Sequence, residues 1–232
     1  MEKGKYLSDV LCKRMREDGK RFWAGDNISD YVRDTDKPFL IDEATEAFEL
    51  VLDRLLIDRE TDPNSRGTAR RLAKMYYNEI MAGRYDHAPD CTAFPNDSDD
   101  RYEGMLVVRS EIRSMCSHHH QPVVGVAYIG ILAAQKLIGL SKYTRIAQWC
   151  SRRGTLQEEL CNDIAREIMR ATDSRDVGVY IQAVHGCCEN RGIMAHSSLT
   201  QTTVLHGAFR TDPAVKKEFT DNIKLQQDFA PR

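Results

Sequence analysis

The sequence predicts an α+β fold built on an antiparallel sheet, and three observations carry that prediction. Residues 103–115 and 121–132, the latter QPVVGVAYIGIL, are rich in β-branched side chains and read as strands. Two helical patterns follow, one after Ser141 to about Arg152 and one over 156–171 with Leu156, Leu160, Ile164 and Ile168 in line. Val177, Val179, Ile181 and Ala183 then alternate as a strand with one buried face, and the Thr-bearing segment 199–210 reads as a final strand. Strand, strand, helix, helix, strand, strand is an α+β plan with an antiparallel sheet.

The remaining elements follow in order. Residues 1–40 have weak periodicity and carry Gly, Asp and Pro, so they are expected to form a loosely packed arm. Ala44, Ala47, Phe48, Val51, Leu52 and Leu55 recur at helical spacing, which predicts an amphipathic helix over 42–58. Asp62-Pro63-Asn64 is a turn, after which Thr68 is placed to cap a second helix. That helix presents Ala69, Leu72, Ala73, Tyr76 and Ile80 on one face and ends near Gly83. Two prolines and five aspartates in 86–101 mark a surface loop or a boundary. Ser141 is the expected cap of the first helix in the second half. Asp212-Pro213 pairs an N-cap residue with a proline at the first helical position, opening a last helix. The expected organisation is an arm over 1–40, a helical region over 41–101 and a sheet-bearing domain over 102–232.

Composition excludes several classes. The 232 residues are 41% hydrophobic and 29% charged, and 33 basic against 35 acidic side chains leave a formal charge of -2. Neither sign dominates, which argues against a nucleic-acid-binding role. No apolar run approaches the ~20 residues of a bilayer span. The N-terminal segment MEKGKYLSDVLCKRMREDGK is polar, so no membrane or secretory role is expected and a cytoplasmic location is the default. Seven cysteines scattered over this length do not suggest a disulfide framework.

Reduced thiols near histidines are first to be tested as metal ligands. Cys116-Ser117-His118-His119 contains a C-x-x-H spacing, and His185-Gly186-Cys187-Cys188 supplies further thiols far downstream. Thiolate plus imidazole favours Zn2+. Cys116, His119 and one of Cys187 or Cys188 make three protein ligands, leaving a fourth position for a water of lowered pKa. If His185 and Cys187 stand two apart on a strand, they share a face and reach the same pocket. His118 and His185 are then two imidazoles beside the metal, suited to several proton transfers.

SMCSHHHQPVVGVAYIG, LIGLSKYTRI, SRRGTLQEEL and AVHGCCENRGI, in this order and spacing, resemble the GTP cyclohydrolase I family. RGTARRLAKMYYNEIMAGRYD upstream and FRTDPAVKKEF downstream are similar to its flanking segments, so the resemblance covers roughly 42–222. It implies a T-fold over 102–232, with a four-stranded antiparallel sheet, two helices on one face and N-terminal helices before it. It also implies a toroidal homo-oligomer, a decamer with active sites between subunits. The implied reaction takes GTP to 7,8-dihydroneopterin triphosphate with release of formate. The resemblance makes Cys116, His119 and Cys187 the zinc ligands and His118 and His185 the proton donors and acceptors. It places Ser141 at the ribose rearrangement and Glu158, with Gln157, at the guanine edge. A carboxylate there accepts from both donors of that edge. Lys142, Arg145, Arg191, Arg71 and Lys74 match the family's triphosphate-contacting positions.

Four positions depart from the family pattern. Ser117 stands where an acidic residue is usual, His120 where a larger apolar one is, and Gly186 where a bulkier one is common; Cys188 adds a second thiol. Two competing readings are a zinc nucleoside deaminase, whose H-x-E and P-C-x-x-C signature is absent, and the deazapurine nitrile reductase of the same fold, which lacks this zinc triad. A third is a zinc-bound, non-catalytic or divergent homologue acting on another purine nucleotide.

Overall fold

A computed structural model describes residues 6–97 and 101–228. By its internal contacts the chain divides into two compact units, Met1–His87 and Ala88–Arg232. The division falls within 86–101, the segment read as a loop or boundary.

The first unit is helical. Helix α1 spans Leu7–Glu17, α2 Lys37–Arg54 and α3 Thr68–Met75; a π-helical turn, Tyr76–Ile80, then leads to the short α4, Ala82–Tyr85. Within residues 6–40, the described part of the region expected to be a loose arm, the chain is packed. Leu11 and Met15 of α1 join Ile28, Val32 and Leu40 in a small core, flanked by Tyr31, Tyr77 and Tyr85. Its members come from several elements, so no single stretch shows the periodicity that announces a helix. The free amides of Leu7 and Ser8 at the start of α1 are capped by the Glu43 carboxylate of α2, at 2.5 and 3.1 Å. Helix α2 begins five residues earlier than expected, because Pro38 sits in its first turn, where a missing N–H is harmless. Thr68 is the first residue of α3 and not its cap; Gly67 holds that place.

The second unit contains a four-stranded antiparallel sheet, β2 (Met105–Met115), β3 (Pro122–Leu132), β5 (Val177–His185) and β6 (Thr200–Leu205), in the spatial order β2-β3-β5-β6. A two-stranded ribbon unforeseen in the sequence pairs β1 (Ala93–Pro95) with β4 (Lys136–Ile138). Helices α5 (Leu140–Ser151) and α6 (Gln157–Thr172) lie between β4 and β5 in the chain. Gly139 is the N-cap of α5, so Ser141 lies inside the first turn and does not cap it. Leu160, Cys161, Ile164, Ala165 and Ile168 form the buried stripe of α6, which packs with α5 against Ile112, Ala127, Ile129, Ile131, Val177, Val179 and Ile181 of the sheet.

The opposite sheet face is also covered. Tyr128 packs with Phe209, Phe219 and Ile223, carried by α8 (Ala208–Thr211) and α9 (Pro213–Asp228). Helix α8 occupies part of the segment read as a strand to residue 210, and β6 ends at Leu205. Two-sided burial explains why β3 reads as a continuous apolar run. Gly130 and Gly178 are cross-strand partners, and a Cβ on either would lie 2.6–2.8 Å from the Phe209 or Phe219 ring. Their bare backbone is what lets that edge-to-face aromatic pair settle on the sheet.

Candidate metal centre and active site

The site assembles at one end of the sheet. Met115 closes the ladder of β2 opposite Pro122, and Val123 of β3 pairs with His185, the last residue of β5. Cys116 and the segment 185–188 therefore flank the start of β3. The connection 116–121 is closed by two backbone bonds, Cys116 N–H to Gln121 O and His120 N–H to Cys116 O, each 2.9 Å. His120 takes a left-handed conformation, φ 51°, within this loop.

Cys187 is not on the strand with His185. It lies in the single helical turn α7, Gly186–Glu189. Pro122, the residue that would continue the β3–β5 ladder, has no N–H to donate, and Gly186 starts a turn whose carbonyl accepts from Asn190 N–H at 2.9 Å. The turn still brings the thiol round. One donor atom each of Cys116, His185 and Cys187 lie within 4.8 Å of one another, Cys116 buried and the other two half-buried. Cys188 Sγ is 4.0 Å from Cys187 Sγ.

His118 and His119 are exposed on the turn after Cys116, their rings 6.3 Å apart, and His119 lies outside the Cys116–His185–Cys187 group. The one imidazole of that group is thus His185, which the sequence reading places in the pocket only as a proton-transfer group.

Gln157 orders that imidazole. It is 2% exposed at the start of α6. Its amide nitrogen donates to Ile181 O at 3.3 Å, Thr200 O at 3.2 Å and Thr202 Oγ1 at 3.1 Å. The oxygen is thereby turned to His185 Nε2, 2.7 Å away. A carbonyl oxygen only accepts, so Nε2 carries the proton and Nδ1 the lone pair. Burial holds the His185 imidazolium pKa below its ordinary value, against the opposing charge of Glu158. Twenty-eight residues separate Gln157 from His185, and no sequence pattern announces the pair.

Burial, then the neighbouring Cys116 and Cys188, pushes the Cys187 thiol up to about 11. Such crowding of weakly acidic donors is relieved when they share a cation. Two thiols and an imidazole are the donor chemistry of zinc, so the residues fit that metal.

Glu158 is exposed in the first turn of α6. Ser141, Lys142 and Arg145 lie on α5, with Lys142 Nζ donating to Asp90 O at 2.5 Å and Arg145 exposed. Arg191 is exposed two residues past α7. Arg71 and Lys74 are exposed on α3 of the first unit, where Arg71 donates to Asn64 O and Thr68 Oγ1.

A family model described as GTP cyclohydrolase I matches residues 44–224. The chain belongs to the GTP cyclohydrolase I family. As a member it is an enzyme, a hydrolase that binds GTP. It is 36% identical over 190 residues to GTP cyclohydrolase 1 of Flavobacterium johnsoniae, covering 82% of this chain and 84% of that one. With GTP cyclohydrolase 1 of Shewanella denitrificans it shares 37% identity over 167 residues, 71% of this chain and 76% of the relative. Among solved structures, the apo archaeosine synthase QueF-Like aligns at a TM-score of 0.37 and 13% identity, over 44% of this chain and 93% of that one.

Proposed function

We propose that this GTP cyclohydrolase opens the imidazole ring of GTP, releases C8 as formate and recloses the product as 7,8-dihydroneopterin triphosphate, with zinc as cofactor. The convergence of Cys116, His185 and Cys187 within 4.8 Å carries the reading. Zinc, when bound, supplies Lewis acidity and a water of lowered pKa. Cys116 and Cys187 hold it as thiolates, with an imidazole that the resemblance assigns to His119.

The chain's own groups do the rest. His185, with Nε2–H anchored on Gln157, exchanges protons at Nδ1, and His118 on the facing turn is the second proton carrier. Glu158 accepts from N1–H and the exocyclic amine of guanine. Gln157, its amide committed to the sheet and to His185, acts beside it by positioning. Lys142, Arg145 and Arg191 meet the triphosphate, a role the resemblance also gives Arg71 and Lys74, and Ser141 serves the ribose rearrangement. The T-fold, the decameric toroid with sites between subunits, a cytoplasmic location and a place at the first step of pterin/folate or deazapurine synthesis belong to the same proposal. The strand order, which leaves β2 and β6 as sheet edges, supports assembly through those edges.

The test is incubation of the zinc-loaded protein with GTP, followed by detection of formate and of a fluorescent oxidised pterin. Both are expected. His185→Ala should retain zinc and yield neither product, whereas His119→Ala should lose the metal. Bound zinc with no product from any purine nucleotide would overturn the catalytic reading.

A further inference from the structure

Cys188 is unused by the reaction described above, yet it is among the chain's departures from its family and it borders the metal cluster. Its backbone is pinned, since Cys188 O accepts from Ala195 N–H at 2.8 Å as the following loop turns back. Its half-buried side chain stands on the same helical turn as Cys187, with the two sulfurs 4.0 Å apart. Two thiolates on one tetrahedral zinc, each at about 2.3 Å, are separated by about 3.8 Å. A disulfide would require closure to about 2.05 Å. The observed separation therefore matches joint coordination and is nearly twice that of a covalent link.

We propose that Cys188 is an additional zinc thiolate, so that this chain holds its metal with three sulfurs, Cys116, Cys187 and Cys188, and one imidazole. Cys188 lies outside the 4.8 Å group formed by the other donors. Joint coordination therefore requires its side chain to turn from Cys187 towards Cys116 and the imidazole. A Cys3His set fills all four positions of a zinc ion, the arrangement of closed sites. In this chain the Cys188 thiolate would thus compete with water for the position that an open site leaves free. The inference rests on zinc binding in the proposed function but not on turnover.

The experiment uses the full chain carrying Cys12→Ser and Cys91→Ser, which removes the half-buried thiols outside the site; Cys150 and Cys161 are fully buried. Apo protein is titrated with Co2+, whose near-ultraviolet thiolate-to-metal band grows with the number of bound sulfurs, and Zn2+ affinity is measured by chelator competition. Cys188→Ser and Cys188→Ala, both checked for folding by circular dichroism, are expected to lower the band by about one third and to weaken zinc by about 10-fold or more. Cys187→Ser should keep a two-sulfur band through Cys188. Equal bands and affinities with and without Cys188 would overturn the proposal while leaving the cyclohydrolase reading intact. Absence of any band in every variant would overturn it together with the zinc requirement. Loss of formate production with a three-sulfur band present would count against the reaction alone.

Discussion

Replacing Gln157 with Leu removes a four-bond junction at nearly constant volume, which separates its polar role from its packing. The amide binds Ile181 O, Thr200 O and Thr202 Oγ1 through nitrogen and His185 Nε2 through oxygen. Leucine refills the space, so no large cavity term enters. Ile181 and Thr200 keep their β5–β6 pairing, and the uncompensated loss falls mainly on the His185 N–H and the Thr202 hydroxyl. At about 1–3 kcal/mol for each orphaned group, partly relieved by water at these half-buried positions, a loss of about 2–3 kcal/mol is expected. For a chain of this size that lowers Tm by about 5–10 °C. Thermal unfolding of the parent, Gln157→Leu, His185→Ala and the double variant closes the cycle. A coupling of about 1 kcal/mol assigns the bond to this pair. If Gln157→Leu costs as much in the His185→Ala background as in the parent, the positioning argument fails.

Three further outcomes are expected. Gly178→Ala drives a methyl to within 2.6 Å of Phe209 Cδ1, and this overpacking should lower unfolding stability by about 1–3 kcal/mol; an unchanged Tm would show that the aromatic pair yields freely. Hydrogen bonding from the Arg33 side chain and backbone holds the Asp36 carboxyl below the usual carboxylate range, with burial opposing. That stabilisation is fully present above the ordinary carboxylate value and is lost as pH falls through the folded one. Asp36→Asn should therefore lower Tm at pH 7, and the gap to the parent should narrow below about pH 4. Arg84 donates to the carbonyls of Phe22, Trp23, Ala24 and Asp26. Arg84→Lys cannot reproduce that fan, so limited proteolysis should accelerate within 20–27 while far-ultraviolet circular dichroism stays unchanged.

Legibility varied with the range of the interactions involved. The strands β2, β3 and β5 and the helix α6 were readable because each carries its own apolar periodicity. Helix α1 was not: two buried positions on one helix signal nothing until Ile28, Val32 and Leu40 come to meet them. The end of β6 and the turn at 186–189 were misread for a related reason. The strand pattern runs on in sequence, while the ladder stops where Pro122 has no N–H to give and where Gly207 turns the chain with φ 54°.

By itself the sequence determined the sheet-and-helix order, the pool of donors and the family, because spacing along the chain is enough to specify each of them. Only the tertiary structure decided which donors meet. It gathered Cys116, His185 and Cys187 at one end of the sheet, left His119 exposed on its turn, and brought the Cys188 sulfur to 4.0 Å from that of Cys187. It also turned Gln157 inward to hold His185, a choice made by three acceptors on β5 and β6. Strand register and the place where a ladder ends are set by pairing between distant segments, and such pairing leaves no periodic trace in either partner alone.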